Sequence, residues 1–158
     1  MMSIVNNYDY FLFDLDDTLY PEVEYLKGAY DNIAKFLSKK KKLKHELLYQ
    51  FLIHRFNEEG RDLLFDSLFE KFNIEFNYMT EILQIMRTYT PENKISLYPK
   101  THNKLSYILN QAKKVFVITN GNVVQQKNKV KNIDWNSLEQ KIIFIYANEY
   151  KKKPSVQS

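Results

Sequence analysis

Three short stretches of the chain are apolar without interruption: Tyr10-Phe11-Leu12-Phe13, Val115-Phe116-Val117-Ile118 and Ile142-Ile143-Phe144-Ile145-Tyr146. Runs of this length, too short for buried helices, predict strands covered on both faces. Helical spacing precedes the second and third runs, with Leu105, Ile108, Leu109 and Ala112 before one and Val123, Val124, Lys127 and Val130 before the other. Strand, helix, strand, helix, strand predicts a parallel sheet, because parallel neighbours need crossovers and helices usually supply them.

A different pattern fills the space after the first strand. Leu26, Tyr30, Ile33 and Leu37 repeat at helical spacing, as do Leu48, Phe51, Leu52 and Phe56, then Leu64, Leu68, Phe69 and Phe72, then Met79, Ile82, Leu83 and Met86. Consecutive amphipathic helices with no strand between them make a poor crossover and a good bundle. Residues 21–97, fenced by Pro21 and Pro99, are therefore expected to form an inserted helical cap. Residues 1–20 and 98–158 are expected to form an α/β core of Rossmann-like, parallel, three-layer type, truncated at its end.

Composition narrows the class. At 158 residues, 44% hydrophobic and 15% aromatic, the chain can bury a core and lies far from the disordered corner of composition space. No apolar run approaches the roughly eighteen residues of a membrane span, so no membrane partner is expected. The absence of cysteine excludes disulfides and thiolate metal sites, which fits a reducing cytoplasm. The net charge of +4 hides a gradient: residues 1–20 carry −4, residues 21–97 carry 0 and residues 98–158 carry +8. The lysines of the basic third are scattered and no nucleic-acid-reading motif accompanies them, so no nucleic-acid partner is expected. Lys39 to Lys42 read as a solvated helix end, where cations sit well.

The candidate chemistry lies where strands stop. Asp14, Asp16 and Asp17 crowd into four positions directly after the first strand, and like charges that close are costly unless a cation joins them. An EF-hand loop would need Gly at its sixth position and Glu at its twelfth; Leu19 and Tyr25 stand there. A plain acidic turn at a strand end remains open on this motif alone. Thr119-Asn120-Gly121-Asn122 follows the second strand and opens a helix, either as an ordinary turn or as a place where a hydroxyl and backbone N–H groups meet an anion. Lys153-Pro154-Ser155 follows the third strand.

Taken in order, Asp14-Leu15-Asp16-Asp17-Thr18-Leu19-Tyr20, a strand ending in Thr119, and Lys153-Pro154 resemble the motifs of the haloacid dehalogenase superfamily, over nearly the whole chain. Leu19-Tyr20-Pro21 and Lys153-Pro154-Ser155 resemble its pyrimidine nucleotidase-like branch. The resemblance implies a Mg²⁺-dependent phosphatase acting on a small phosphorylated metabolite, a nucleoside monophosphate among the candidates, through an aspartyl-phosphate intermediate. It implies Asp14 as nucleophile and Asp16 as acid and base, with Lys153 neutralising charge on the pair formed by Asp14 and the phosphate. Thr119, Asn120 and Gly121 would bind phosphoryl oxygens, and the Asp14 carboxylate and Asp16 backbone carbonyl would hold the metal. Asp17 is expected to support the turn.

The family's fourth motif, an acidic GDxxxD-like segment after a further strand, has no counterpart here; Asp134, Glu139 and Glu149 are the only acids after residue 98. A truncated chain is therefore expected, with weak or absent activity, and a non-catalytic binding module of the same fold is the alternative. The resembled fold places its next strand beside the first. The sheet order within this chain should thus be third, second, first, leaving an apolar edge that invites a homodimer or pairing with the missing segment.

Overall fold

The structure, a computed structural model, describes residues 7–150. Its contacts divide the chain into two compact units, one running up to Glu22 and resuming at Thr90, the other spanning Val23–Tyr89. Along the chain the elements are β1 (Tyr10–Phe13), α1 (Glu22–Lys41), α2 (His45–Glu59), α3 (Leu64–Phe72), α4 (Met79–Thr88), β2 (Ile95–Ser96), α5 (Pro99–Asn110), β3 (Lys114–Thr119), α6 (Val123–Asn132), β4 (Ile133–Asp134) and β5 (Ile142–Tyr146), with short 3₁₀ turns between some of them.

In the first unit, β1, β3 and β5 form a parallel sheet in the order β1-β3-β5, the third-second-first arrangement expected from the sequence. The register pairs Phe13 with Val117 and Thr119 with Tyr146, so all three strands point their carboxyl ends the same way. Helix α5 packs on β3 and α6 on β5. This is an α/β, Rossmann-like parallel fold with helices inserted after the first strand.

Side chains alternate across a sheet, and here the two faces differ. Val115, Val117 and Ile142 lie on one face and are buried. On the other face Tyr10, Leu12 and Ile143 remain 59%, 63% and 48% exposed. The expectation that the first strand is covered on both faces is therefore corrected. Its apolar run reflects half-cover only, because β1 is an edge strand of the described sheet and its Tyr10 and Leu12 side chains leave the helix-covered face.

The helical insertion also ends earlier than the expected residue 97. Ile95 and Ser96 pair in parallel with Ile133 and Asp134 as a separate two-stranded sheet, and Leu97 is buried. These residues belong to the first unit, which resumes at Thr90. Strands of two residues are too short for any periodicity to announce.

The second unit contains most of α1 together with α2, α3 and α4. Tyr25, Leu26, Ala29, Tyr30, Ile33, Ala34 and Leu37 form the buried stripe of α1 at helical spacing. The Tyr30 ring meets Phe56 and Phe65 edge-on at 5.9 and 6.4 Å, and burial pushes its hydroxyl pKa above the usual phenol range. Lys39, Lys40 and Lys41 occupy the last turn of α1, where they oppose the negative end of the helix dipole.

Candidate active site

The site lies wholly in the first unit. Phe13 is level with Val117 in the sheet, so Asp14 leaves β1 beside the end of β3, where Thr119 stands. Asp14 is exposed at this edge. The chain then turns tightly: the N–H groups of Thr18 and Leu19 donate to the Leu15 carbonyl at 3.4 and 3.0 Å, and Asp17 takes a left-handed φ of +54°, which Asp tolerates better than most residues. Asp17 Oδ1 accepts the N–H of Glu22 at 2.9 Å, satisfying a first-turn donor of α1. Asp17 thus supports the turn, as expected.

Leu15, Leu19 and Tyr20 are buried beneath this loop, which anchors it and sets where Asp16 points. The Asp16 carboxylate is ringed by donors. The Tyr20 hydroxyl donates to Oδ1 at 2.8 Å, Gln126 Nε2 to Oδ2 at 3.3 Å, and Lys129 Nζ to both oxygens at 3.0 Å. Lys129 also donates to Glu22 Oε1. Its side chain is fully buried, as is that of Glu22, while Asp16 keeps 18% exposure toward the open edge. Removing one partner of such a buried pair leaves an uncompensated charge and typically costs about 3–5 kcal/mol.

Thr119 ends β3 at 4% exposure. Its hydroxyl donates toward Gln126 Oε1 at 3.1 Å and lies 3.3 Å from the Asn120 carbonyl. Gln126 therefore joins the two motifs, accepting from Thr119 at one end and donating to Asp16 at the other. Gly121 follows at φ +120°, a backbone region that a Cβ disfavours. Asn122 then caps α6, its side chain accepting the Gln125 N–H at 3.2 Å. The loop thus delivers a helix N-terminus to the edge that carries Asp14, and such termini favour anions.

Asp14, Asp16, Thr119, Asn120 and Gly121 are brought to one sheet edge, and Lys153 lies outside the described residues. Sequence reasoning missed Lys129, Gln126 and Glu22. It placed the apolar face of α6 on Val123, Val124, Lys127 and Val130, whereas the buried polar side chains of that helix are Gln126, Lys129 and Asn132, and Val124 is 56% exposed. The signal available was their i, i+3, i+6 spacing directly behind the Thr119 loop, which puts three polar residues on one helix face.

Glu149 ends a short 3₁₀ turn, Ala147–Glu149, and pairs with Lys127 at 2.6 Å. Its charge adds to burial in pushing the nearby Tyr146 hydroxyl above the usual phenol pKa, burial being the larger cause.

A family model for haloacid dehalogenase-like hydrolases matches residues 11–158. The chain belongs to this family. Solved structures agree on the fold. YfnB from Bacillus subtilis, a HAD-hydrolase bound to magnesium, is 18% identical, with 94% of this chain and 68% of that one covered at a TM-score of 0.57. A HAD phosphatase from Thermococcus onnurineus is 19% identical, with 90% and 64% covered and a TM-score of 0.51. The chain thus spans about two thirds of the length of these family members. A comparison with curated protein sequences gives no match.

The oxygen donors at the edge suit a hard cation such as Mg²⁺, which keeps several waters and needs few protein ligands. Among the described residues no group of three or more His, Cys, Asp or Glu side chains converges to form a full cage. No described helix is long and apolar enough to cross a membrane.

Proposed function

We propose that this chain carries the active site of a Mg²⁺-dependent phosphatase acting on a small phosphorylated metabolite, with a nucleoside monophosphate as the substrate class to try first. The observation that carries the reading is the shared edge of β1 and β3. An exposed carboxylate, Asp14, and a fixed one, Asp16, stand there beside a strand-to-helix loop suited to phosphate.

Asp14 Oδ attacks phosphorus, forming an aspartyl phosphate as the ester P–O bond breaks, and the departing oxygen takes a proton from the Asp16 carboxyl. Water then attacks the same phosphorus, gives its proton to the Asp16 carboxylate, and the bond to Asp14 breaks to release phosphate. Thr119 and the N–H groups of Asn120 and Gly121 receive the phosphoryl oxygens. Lys153 offsets charge between Asp14 and the phosphoryl group. The Asp14 carboxylate and the Asp16 backbone carbonyl would hold Mg²⁺, which would supply charge neutralisation for the phosphoryl group.

The test is phosphate release from p-nitrophenyl phosphate and from nucleoside monophosphates, with Mg²⁺ and with EDTA. Asp14→Asn should lower the rate by at least about 10³-fold. Asp17→Asn keeps an acceptor for the Glu22 N–H and should stay within about threefold. Turnover by Asp14→Asn equal to that of the parent, or turnover untouched by EDTA, would sink the assignment.

A further inference from the structure

We propose that Lys129 is a positioning residue: from inside the protein it fixes the Asp16 carboxylate at the angle from which Asp16 reaches the leaving oxygen. This rests on the phosphatase reading above, which gives Asp16 its proton-transfer role.

An Asp side chain has two torsions, and at a solvent-facing strand end both would normally be free. Here Lys129 Nζ bridges both carboxylate oxygens at 3.0 Å, and the Tyr20 hydroxyl and Gln126 amide take one oxygen each. Together these contacts fix the direction in which the carboxylate can reach a bound ester. Lys129 is itself held, because Glu22 receives its ammonium from another side and burial denies it water as an alternative partner. An ion pair of this kind is seldom the most stable filling for a buried helix position, since apolar residues often do as well or better. Its position behind a candidate catalytic carboxylate is what a role in orientation requires.

The bland alternative is an ion pair that stabilises the fold and nothing more. The two readings differ in how activity depends on the leaving group. When the ester P–O bond breaks, its electron pair leaves on oxygen. A phenolate of ordinary basicity needs the Asp16 proton there, whereas 2,4-dinitrophenolate departs without one. A displaced Asp16 therefore slows phenyl phosphate and largely spares 2,4-dinitrophenyl phosphate. A lower content of properly folded protein slows both alike. The quantity to compare is kcat/KM, which reports only the steps up to formation of the aspartyl phosphate and so excludes the later water attack.

The experiment measures kcat/KM of the full chain with Mg²⁺ on both esters, for the parent, Lys129→Met, Asp16→Asn and the Lys129→Met, Asp16→Asn double variant. In Lys129→Met the preference for the dinitrophenyl ester should rise by about 10- to 100-fold, the scale of effect of a small misplacement of a catalytic group. In the Asp16→Asn background Lys129→Met should move that preference no further. If circular dichroism shows that Lys129→Met does not fold, Lys129→Met combined with Glu22→Met removes the buried pair together and carries the same expectation. An unchanged preference in a folded variant overturns the positioning role while leaving the phosphatase reading intact. A parent without Mg²⁺-dependent turnover of either ester overturns both.

Discussion

Replacing Gly121 with alanine tests whether the Thr119 loop and the Asp16 loop are one structure. Gly121 sits at φ +120°, where an L side chain costs about 1–3 kcal/mol of backbone strain. A Cβ there would also stand 2.9 Å from Gln126 Nε2 and 3.5 Å from its Cγ. A flexible glutamine end on a free surface would simply swing away. This one cannot do so without cost, because the same amide accepts from Thr119 and donates to Asp16, and each lost hydrogen bond removes about 1 kcal/mol. Allowing for partial relaxation, the substitution should destabilise by about 2–4 kcal/mol. Urea unfolding followed by circular dichroism should show the midpoint fall with the slope unchanged. A change under about 0.5 kcal/mol, the ordinary surface value, would refute both the strain and the coupling through Gln126.

Two further predictions concern the helical unit. Burial pushes the Asp31 carboxyl up, but hydrogen bonds from Lys35 and His45 outweigh it and hold its pKa below the usual carboxylate range. Its contribution is therefore present above about pH 4, the unfolded value, and is lost as pH falls through the lower folded value; acid titration of stability should be shallower in Asp31→Asn, and an unchanged slope would refute this. Gly28→Ala, normally worth up to about 1 kcal/mol of stabilisation in a helix, should destabilise here because its Cβ would lie 1.9 Å from the Tyr89 hydroxyl and overpacking costs about 1–3 kcal/mol. A raised melting temperature would refute it.

What could be read from the sequence divides along a physical line. The strands of the main sheet and the four helices after β1 were legible because apolar spacing drives their burial, and Leu26, Leu48, Leu68 and Ile82 are all buried where the spacing puts them. The acidic loop and the Thr119 turn were legible because chemistry concentrates at strand ends. The inner wall of the site was not. Lys129, Glu22 and Gln126 are buried by pairing with one another, with Asp16 and with Thr119, and pairing across 107 and 113 residues of sequence separation leaves no local pattern. Lys129 looks like any other lysine of the basic third until the fold brings two carboxylates to it. Its burial also explains why the apolar residues of α6 gave the wrong face.

The same reasoning makes the two faces of the main sheet respond differently to truncation. Leu12 on β1 and Val117 on β3 lie only a strand apart, yet Leu12 is 63% exposed and Val117 is fully buried. Fully burying a Leu side chain contributes about 1.5–3 kcal/mol. With roughly a third of Leu12 covered, Leu12→Ala should cost only about 0.5–1 kcal/mol. Val117→Ala removes fewer atoms but leaves a cavity in a packed layer, so it should cost about 2 kcal/mol. Simple side-chain size predicts the reverse order, since leucine loses more carbon than valine. Burial decides which effect wins. Urea titrations of both variants at several protein concentrations provide the measurement. A cost at Leu12 that equals or exceeds that at Val117 would show that its face is covered in solution. If that cost also grew with concentration, the cover would be a second copy of the chain, because only an association equilibrium makes stability depend on protein concentration.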